Sequence, residues 1–139
     1  MNLLKILSLA TCMILGSITT FAQEPTLDVQ HYQFQLTLSD ASDTISGVAT
    51  IHIKFLKPTD QFSIDLKNIS RGKGMIVSGI TGTKSFTHTN DKLNIQLDHK
   101  QNTGDSAHFT INYKGVPADG LIIAKNKYGK RTFFSDNWP

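Results

Sequence analysis

Residues 45–55 read Ile-Ser-Gly-Val-Ala-Thr-Ile-His-Ile-Lys-Phe, so apolar and polar side chains alternate along most of this stretch. A β-strand directs successive side chains to opposite faces, and the alternation therefore predicts a strand with one buried and one solvated face. The same period recurs before and after this stretch. The apolar positions of those runs are Tyr32, Phe34, Leu36 and Leu38; Phe62, Ile64 and Leu66; Leu93, Ile95 and Leu97; and Ala107, Phe109, Ile111 and Tyr113.

Short polar segments separate the runs, as hairpin turns do. They are Ser39–Asp43, Lys57–Asp60, Asn90–Asp91, Asn102–Asp105 and Tyr128–Lys130. No segment after Ala22 shows the period of an amphipathic helix, and Met75–Ile80 is the least regular stretch because its apolar residues do not alternate cleanly. The chain is predicted to be all-β, with about eight or nine short antiparallel strands in a saddle-like sheet or a β-sandwich.

The first 22 residues have the layout of a secretory signal peptide, with Lys5, an apolar stretch and a small-residue site ending at Ala22. We expect cleavage there and a single β-domain over residues 23–139, exported to the periplasm or the medium. Lipidation at Cys12 is the disfavoured alternative, because a threonine precedes this cysteine and the apolar stretch continues past it. The mature chain would then contain no cysteine and no disulfide.

Residue types exclude several kinds of site. Glu24 is the only glutamate of the 139 residues, so a site that needs a catalytic or metal-binding glutamate deep in the domain is excluded. The mature chain has no Gly-x-Ser-x-Gly elbow and no nucleotide-binding loop, and its aspartates fall mostly in predicted turns. His31, His52 and His108 occupy polar strand faces; solvent-facing or interface imidazoles are favoured over a metal site formed across a sheet. We assign no catalytic, cofactor-binding or metal-binding residue.

The C-terminal part combines basic and aromatic residues. Lysines and an arginine between Lys125 and Arg131 alternate with Tyr128, Phe133 and Phe134. We expect a solvated hairpin whose aromatic rings face the core. A formal charge of +3 and an exported location both argue against a nucleic-acid partner.

Large aromatic residues also lie close to the end of the sequence. Phe133, Phe134 and the only tryptophan, Trp138, all follow Arg131. Aromatic side chains of this size are normally buried, whereas chain termini are usually polar. Either this tail folds back onto the sheet or a covering part lies outside the sequence. The second alternative is favoured, and the chain is expected to be a fragment.

Several sequence segments, taken in order along the chain, resemble the N-terminal β-domain of the aminopeptidase N-like zinc metallopeptidases. The resemblance covers residues 26–139, and residues 71–90 match only loosely. The matching segments are Leu27–Leu36, with its His-Tyr pair; Ile45–Ile51; Phe62–Leu66; Tyr113–Pro117 followed by Asp119–Leu121; and Arg131–Pro139.

The resemblance implies a saddle-like module that packs against a thermolysin-like catalytic domain. The implied parent enzyme removes N-terminal residues from peptides, using zinc held by two histidines and a glutamate while another glutamate activates water. Neither His-Glu-x-x-His nor Gly-x-Met-Glu-Asn occurs in this chain, so no functional residue is carried over and zinc is expected only in the parent.

We therefore expect a non-catalytic domain that scaffolds and closes the cleft of a catalytic domain absent from this chain. Its expected partners are that domain and, in the parent only, a peptide substrate; no membrane contact is expected after signal cleavage. The face with His31, His52 and His108, or the tail aromatics, would form the docking surface. The alternative is a stand-alone exported β-sandwich that binds carbohydrate or protein, although no aromatic platform is expected on its strand faces. A small β-rich hydrolase is the third option.

Overall fold

The computed structural model describes residues 24–135. The expected signal peptide with Cys12, and Trp138 near the other end, lie outside the described residues. Within this range the chain forms nine β-strands. They are β1 (Leu27–Thr37), β2 (Ile45–Phe55), β3 (Thr59–Asp65), β4 (Gly74–Thr81), β5 (Ser85–Thr89), β6 (Lys92–Gln101), β7 (Ser106–Val116), β8 (Leu121–Lys125) and β9 (Arg131–Ser135).

The strands form three antiparallel sheets. A four-stranded sheet has the order β1-β2-β7-β4, a three-stranded sheet has the order β3-β6-β5, and β8 pairs with β9 as a separate hairpin. The two larger sheets pack face to face, and this confirms the all-β prediction in its sandwich form. Residues 24–135 include no helix that is long and apolar enough to cross a membrane.

The irregular stretch Met75–Ile80 belongs to β4. Its register against β7 shifts between Val77 and Gly79, where β4 carries one extra residue. A bulge of this kind moves the following side chains to the other face of the strand, and this explains why the apolar residues do not alternate cleanly.

The core lies between the two larger sheets at the end of the sandwich where β2 finishes. Phe55 and Leu93 are fully buried, and Phe109 is 2% exposed. The ring of Phe62, from the three-stranded sheet, lies 5.1 Å from that of Phe109 and 6.3 Å from that of Phe55, measured between centroids. These aromatic contacts join the two sheets. The other buried members of the cluster are Ala49, Ile51, Ile53, Ile95, Leu97 and Ile111.

The predicted turn at Asn90–Asp91 connects β5 to β6, and both residues have positive φ, at 52° and 60°. The side chain of Asp91 ties this turn to the segment after β3. Its Oδ1 accepts a hydrogen bond from the Asn68 amide at 3.1 Å, and its Oδ2 accepts one from Lys67 Nζ at 2.6 Å. Asn68 Oδ1 in return accepts a bond from the Asp91 amide at 2.7 Å. The hydrogen bond from Lys67, followed by that from Asn68, holds the pKa of Asp91 below its ordinary value of 3.8.

This contact makes stability depend on pH. A carboxyl group whose pKa is lowered by folding stabilises the fold above its unfolded pKa, and that contribution is lost as the pH falls through the lower folded value. Asp91→Asn should therefore have a lower free energy of unfolding than the wild type, by an amount that is constant near neutral pH. This difference should shrink as the pH falls below 3.8. Urea unfolding at several pH values measures this, and a difference that grows on acidification would contradict the assignment.

Candidate functional site

The apolar face of β1 is largely exposed. Tyr32 is 47% and Phe34 58% exposed, and Leu36 and Leu38 are exposed as well. The rings of Tyr32 and Phe34 are stacked, with centroids 5.8 Å apart and an angle of 7° between their planes. The expectation that every alternating run buries its apolar face is therefore wrong for β1. The expectation that no aromatic platform is exposed is also wrong at this strand.

Tyr32, Phe34 and Leu36 line a groove of about 530 Å³. The groove borders the core, because the buried Ala49, Ile51 and Ile111 also contribute to its lining. We call this region the open groove. Side chains from both larger sheets and from the start of β8 surround it. Its apolar lining consists of Tyr32, Phe34, Leu36, Ile45, Ala49, Ile51, Ile64, Leu66, Met75, Ile111, Tyr113, Pro117 and Leu121. The sequence predicts no binding role for this set, and favours docking through the histidines or the tail aromatics instead.

A glycine shapes one wall of the open groove. Gly47 lies opposite Tyr113 in the pairing of β2 with β7, and a Cβ atom on Gly47 would lie 2.2 Å from Cζ of the Tyr113 ring. The missing side chain allows the ring to lie flat across β2, and burial raises the pKa of the Tyr113 hydroxyl. The close approach therefore explains why this strand carries a glycine among its buried positions.

Charged groups border the apolar lining. Asp65 and Lys92, which are neighbours across β3 and β6, form an ion pair beside the groove. Asp119 lines it from the segment before β8. An apolar centre with a polar margin is the usual composition of a protein-binding surface.

The β8–β9 hairpin lies at one end of the open groove, where Leu121 contributes to the lining. Phe133 is half-buried, but Phe134 is 48% and Tyr128 76% exposed. The prediction of a hairpin is confirmed, whereas the prediction that its aromatic rings face the core is wrong for Phe134 and Tyr128. Lys127 Nζ lies 4.9 Å from the centroid of the Tyr128 ring, a cation–π contact at the tip.

One arginine fastens this hairpin to the loop between β1 and β2. Arg131 Nε donates a hydrogen bond to Asp43 Oδ1 at 2.6 Å, and its Nη1 donates to the Asp40 carbonyl. The arginine side chain is only 18% exposed. The planar guanidinium group serves two acceptors at once, which a lysine ammonium group at the end of a flexible stem does less well.

Arg131→Lys should therefore loosen the hairpin without unfolding the sandwich. We expect the amides of residues 121–135 to exchange with deuterium roughly tenfold faster, which corresponds to about 1.4 kcal/mol of local opening free energy. The core strands should keep their exchange rates. Lys127→Arg, which changes an exposed cation at the hairpin tip, is the matched control. Equal exchange in Arg131→Lys and the wild type would show that the hairpin is held by other contacts.

The three histidines on polar strand faces are brought together. His31 pairs with His52, and His52 pairs with His108, on the neighbouring strands β1, β2 and β7. The ring centroids are 5.6 Å apart in the first pair and 4.7 Å apart in the second. We call this set the histidine row. No three or more His, Cys, Asp or Glu residues of the range 24–135 converge on a single metal position.

No protein-family model matches the sequence, and no curated protein matches it. Comparison of the fold with solved structures finds M1 zinc metallopeptidases. The enzyme from Deinococcus radiodurans superposes with a TM-score of 0.58 at 24% identity, over 68% of this chain and 21% of that chain. A mutant of the same organism's enzyme, bound to a Tyr-Ser-Ala substrate, gives a TM-score of 0.57 at 25% identity, over 70% and 22%. A mutant two-domain M1 enzyme bound to L-tryptophan gives 0.58 at 24% identity, over 68% and 22%.

The chain has the fold of the N-terminal β-domain of M1 zinc metallopeptidases. This confirms, for the fold, the resemblance indicated by the sequence segments. The chain spans about a fifth of the length of the M1 enzymes that it matches.

Proposed function

We propose that this chain is the non-catalytic N-terminal domain of an exported zinc metalloaminopeptidase. In this proposal it scaffolds a catalytic domain that lies outside the sequence and closes one side of that domain's cleft. The observation that carries the proposal is the fold match, which takes in 68–70% of this chain but only 21–22% of each M1 enzyme. The zinc, the catalytic glutamate and the peptide substrate belong to the catalytic domain in this scheme.

The open groove is the proposed docking surface for that domain. Strand β1 carries an alternation typical of a buried face, yet Tyr32 and Phe34 are about half exposed. Large exposed apolar patches on soluble proteins usually mark interaction sites. A catalytic domain seated on the groove would cover both rings, and the charged border formed by Asp65, Lys92 and Asp119 would remain at the rim.

The docking role is tested in the two-domain enzyme that the proposal requires. Phe34→Asp places a carboxylate in the contact, where its burial is costly. Gln33→Asp is the matched control, because Gln33 is next to Phe34 in the sequence and its side chain points to the opposite face of β1. We expect Phe34→Asp to lower the midpoint of thermal unfolding by roughly 5 °C or more and to reduce aminopeptidase activity, while the control shifts the midpoint by less than about 1 °C. Equal midpoints in the two variants would exclude docking through this groove.

Export is part of the same proposal and rests on the signal-like layout of residues 1–22. Expression in a bacterial host with fractionation of the cells tests it. A mature protein that begins at Gln23 in the periplasm or the medium would support export, whereas an uncleaved protein in the cytoplasm would contradict it.

The stacked pair of Tyr32 and Phe34 supports a second candidate, a stand-alone module that binds carbohydrate. The two rings are parallel, and each is about half exposed, so they offer apolar surface against which a sugar ring can pack. A glycan array probed with the chain tests this candidate. A signal that Tyr32→Ala abolishes would favour it over the domain of a metallopeptidase, and an array without signal would remove it.

A further inference from the structure

The histidine row lies on the outer face of the four-stranded sheet, away from the core and the open groove. His52 is on β2, and its neighbours His31 and His108 are on the strands hydrogen-bonded to either side of β2. The outer two histidines are exposed and His52 is partly buried. Because both neighbouring strands are fixed in register by backbone hydrogen bonds, the three Cα positions are held before any ligand arrives.

The rings of the row are available to a ligand. Among side-chain hydrogen bonds within residues 24–135, the only histidine that takes part is His88, which bonds the Leu66 carbonyl at 2.8 Å. No side-chain hydrogen bond within the row therefore explains why three imidazoles lie opposite one another on neighbouring strands. On the same face of the sheet, the next set of paired residues in one direction along the strands is uncharged. It consists of Gln33, Thr50 and Thr110.

The charged neighbours of the row are the next set of paired residues in the opposite direction along the strands. Lys54 pairs with Asp28 on β1 and with Ser106 on β7. Asp28 accepts a hydrogen bond from the Gln30 side chain. One cation and one carboxylate face this end of the row, so a bound cation would meet no excess of positive charge.

The ring separations match those of imidazoles that share one metal ion. A nitrogen–metal bond of about 2.0–2.1 Å and a tetrahedral angle place the centroids of two ligating rings about 5 Å apart. His52 and His108 are 4.7 Å apart, and His31 and His52 are 5.6 Å apart. The three rings do not converge on one position among the described residues. An ion held by two of them would therefore require the third side chain to rotate toward it.

We propose that the histidine row binds one divalent ion of the later first-row transition metals. His52 and His108 are the two principal ligands, His31 is the third ligand from the side, and water completes the coordination shell. Neutral imidazole suits Zn²⁺, Ni²⁺ and Cu²⁺, and the general order of affinities places Cu²⁺ above Zn²⁺. This site is separate from the zinc of the proposed parent enzyme, because it uses residues of this β-domain alone.

The test is a calorimetric titration of the 139-residue chain with Zn²⁺ alone and with Cu²⁺ alone. His52→Gln and His108→Gln each remove a principal ligand and His31→Gln removes the third. His99→Gln is the matched control, since it removes an exposed histidine of β6 outside the row. We expect one ion per chain, tighter for Cu²⁺. The affinity should fall by roughly tenfold or more in the first two variants, which corresponds to about 1.4 kcal/mol of binding free energy, by less in His31→Gln, and not at all in His99→Gln.

Three further measurements accompany the titration. Zn²⁺ should shift the imidazole NMR signals of His52 and His108 and leave those of His88 and His99 in place. The unfolding profiles of the variants should match that of the wild type, because the substituted rings are not core residues. Metal affinity should fall on acidification, because protonated imidazoles cannot bind. Equal affinity in the wild type and the His52→Gln, His108→Gln double variant would overturn the proposal. So would a stoichiometry that follows the total number of histidines, which indicates adventitious binding only.

Discussion

Replacing Phe55 with alanine is expected to lower the free energy of unfolding by about 3–5 kcal/mol, the usual cost of truncating a buried phenylalanine. Phe55 is fully buried at the end of β2, and its ring packs edge-on against Phe62 of the opposite sheet. Its backbone also pairs with the β6–β7 turn, through bonds of 2.8 Å to Asp105 and Gly104. The alanine variant leaves a cavity where the two sheets are joined, and urea denaturation measures the loss.

Phe34→Ala is the matched control for this prediction. It deletes the same side chain from β1, where the ring is 58% exposed and borders the open groove. We expect a change within about 0.5 kcal/mol in the chain alone, as is usual for surface substitutions. Comparable losses in the two variants would mean that the open groove belongs to the core and is not a free surface.

Gly115→Ala is expected to be the second severely destabilising substitution, with a cost of several kcal/mol. A Cβ atom on this residue of β7 would lie 2.0 Å from the carbonyl oxygen of Gly74 and 3.0 Å from Cα of Met75. Both neighbours are backbone atoms of β4, so no side-chain rotation relieves the clash. β4 must move away from β7, which weakens its ladder hydrogen bonds, and backbone strain of this kind is among the few causes of large single-residue effects. The free energy of unfolding in urea measures the loss.

Gly79→Ala provides the comparison on the strand next to it. An added Cβ at Gly79 would meet no atom within 4 Å. We expect its effect on the free energy of unfolding to lie within about 0.5 kcal/mol, since alanine adds no clash there and restricts the unfolded chain. A Gly115→Ala variant as stable as Gly79→Ala would show that β4 does not lie against β7 as described.

Sequence periodicity predicts strands better than it predicts what covers them. The alternation in β2 and β7 indicated both the strands and their buried faces, and Ile53 and Phe109 are buried as expected. The equally regular alternation in β1 indicated the strand, but Tyr32 and Phe34 are exposed. Alternation depends only on the strand itself, whereas burial depends on how far the opposite sheet extends. Side chains of the opposite sheet border this part of β1 but leave Tyr32 and Phe34 about half exposed, and the open groove results.

The histidine row shows a second limit of the sequence. Periodicity placed His31, His52 and His108 on polar strand faces, but it did not say which strands are neighbours or at which level their residues pair. The order β1-β2-β7 and the observed register bring the three rings together. A bulge after Val29 is needed for His31 to face His52, and no turn or glycine in the sequence indicates it.

The proposed function requires a zinc metallopeptidase catalytic domain encoded together with this β-domain. The coding DNA beyond the codon for Pro139 should be sequenced to find it. We expect an open frame that continues into a Gly-x-Met-Glu-Asn motif and a His-Glu-x-x-His motif. A stop codon directly after Pro139, confirmed on independent reads, would contradict it and leave the carbohydrate-binding candidate as the leading function.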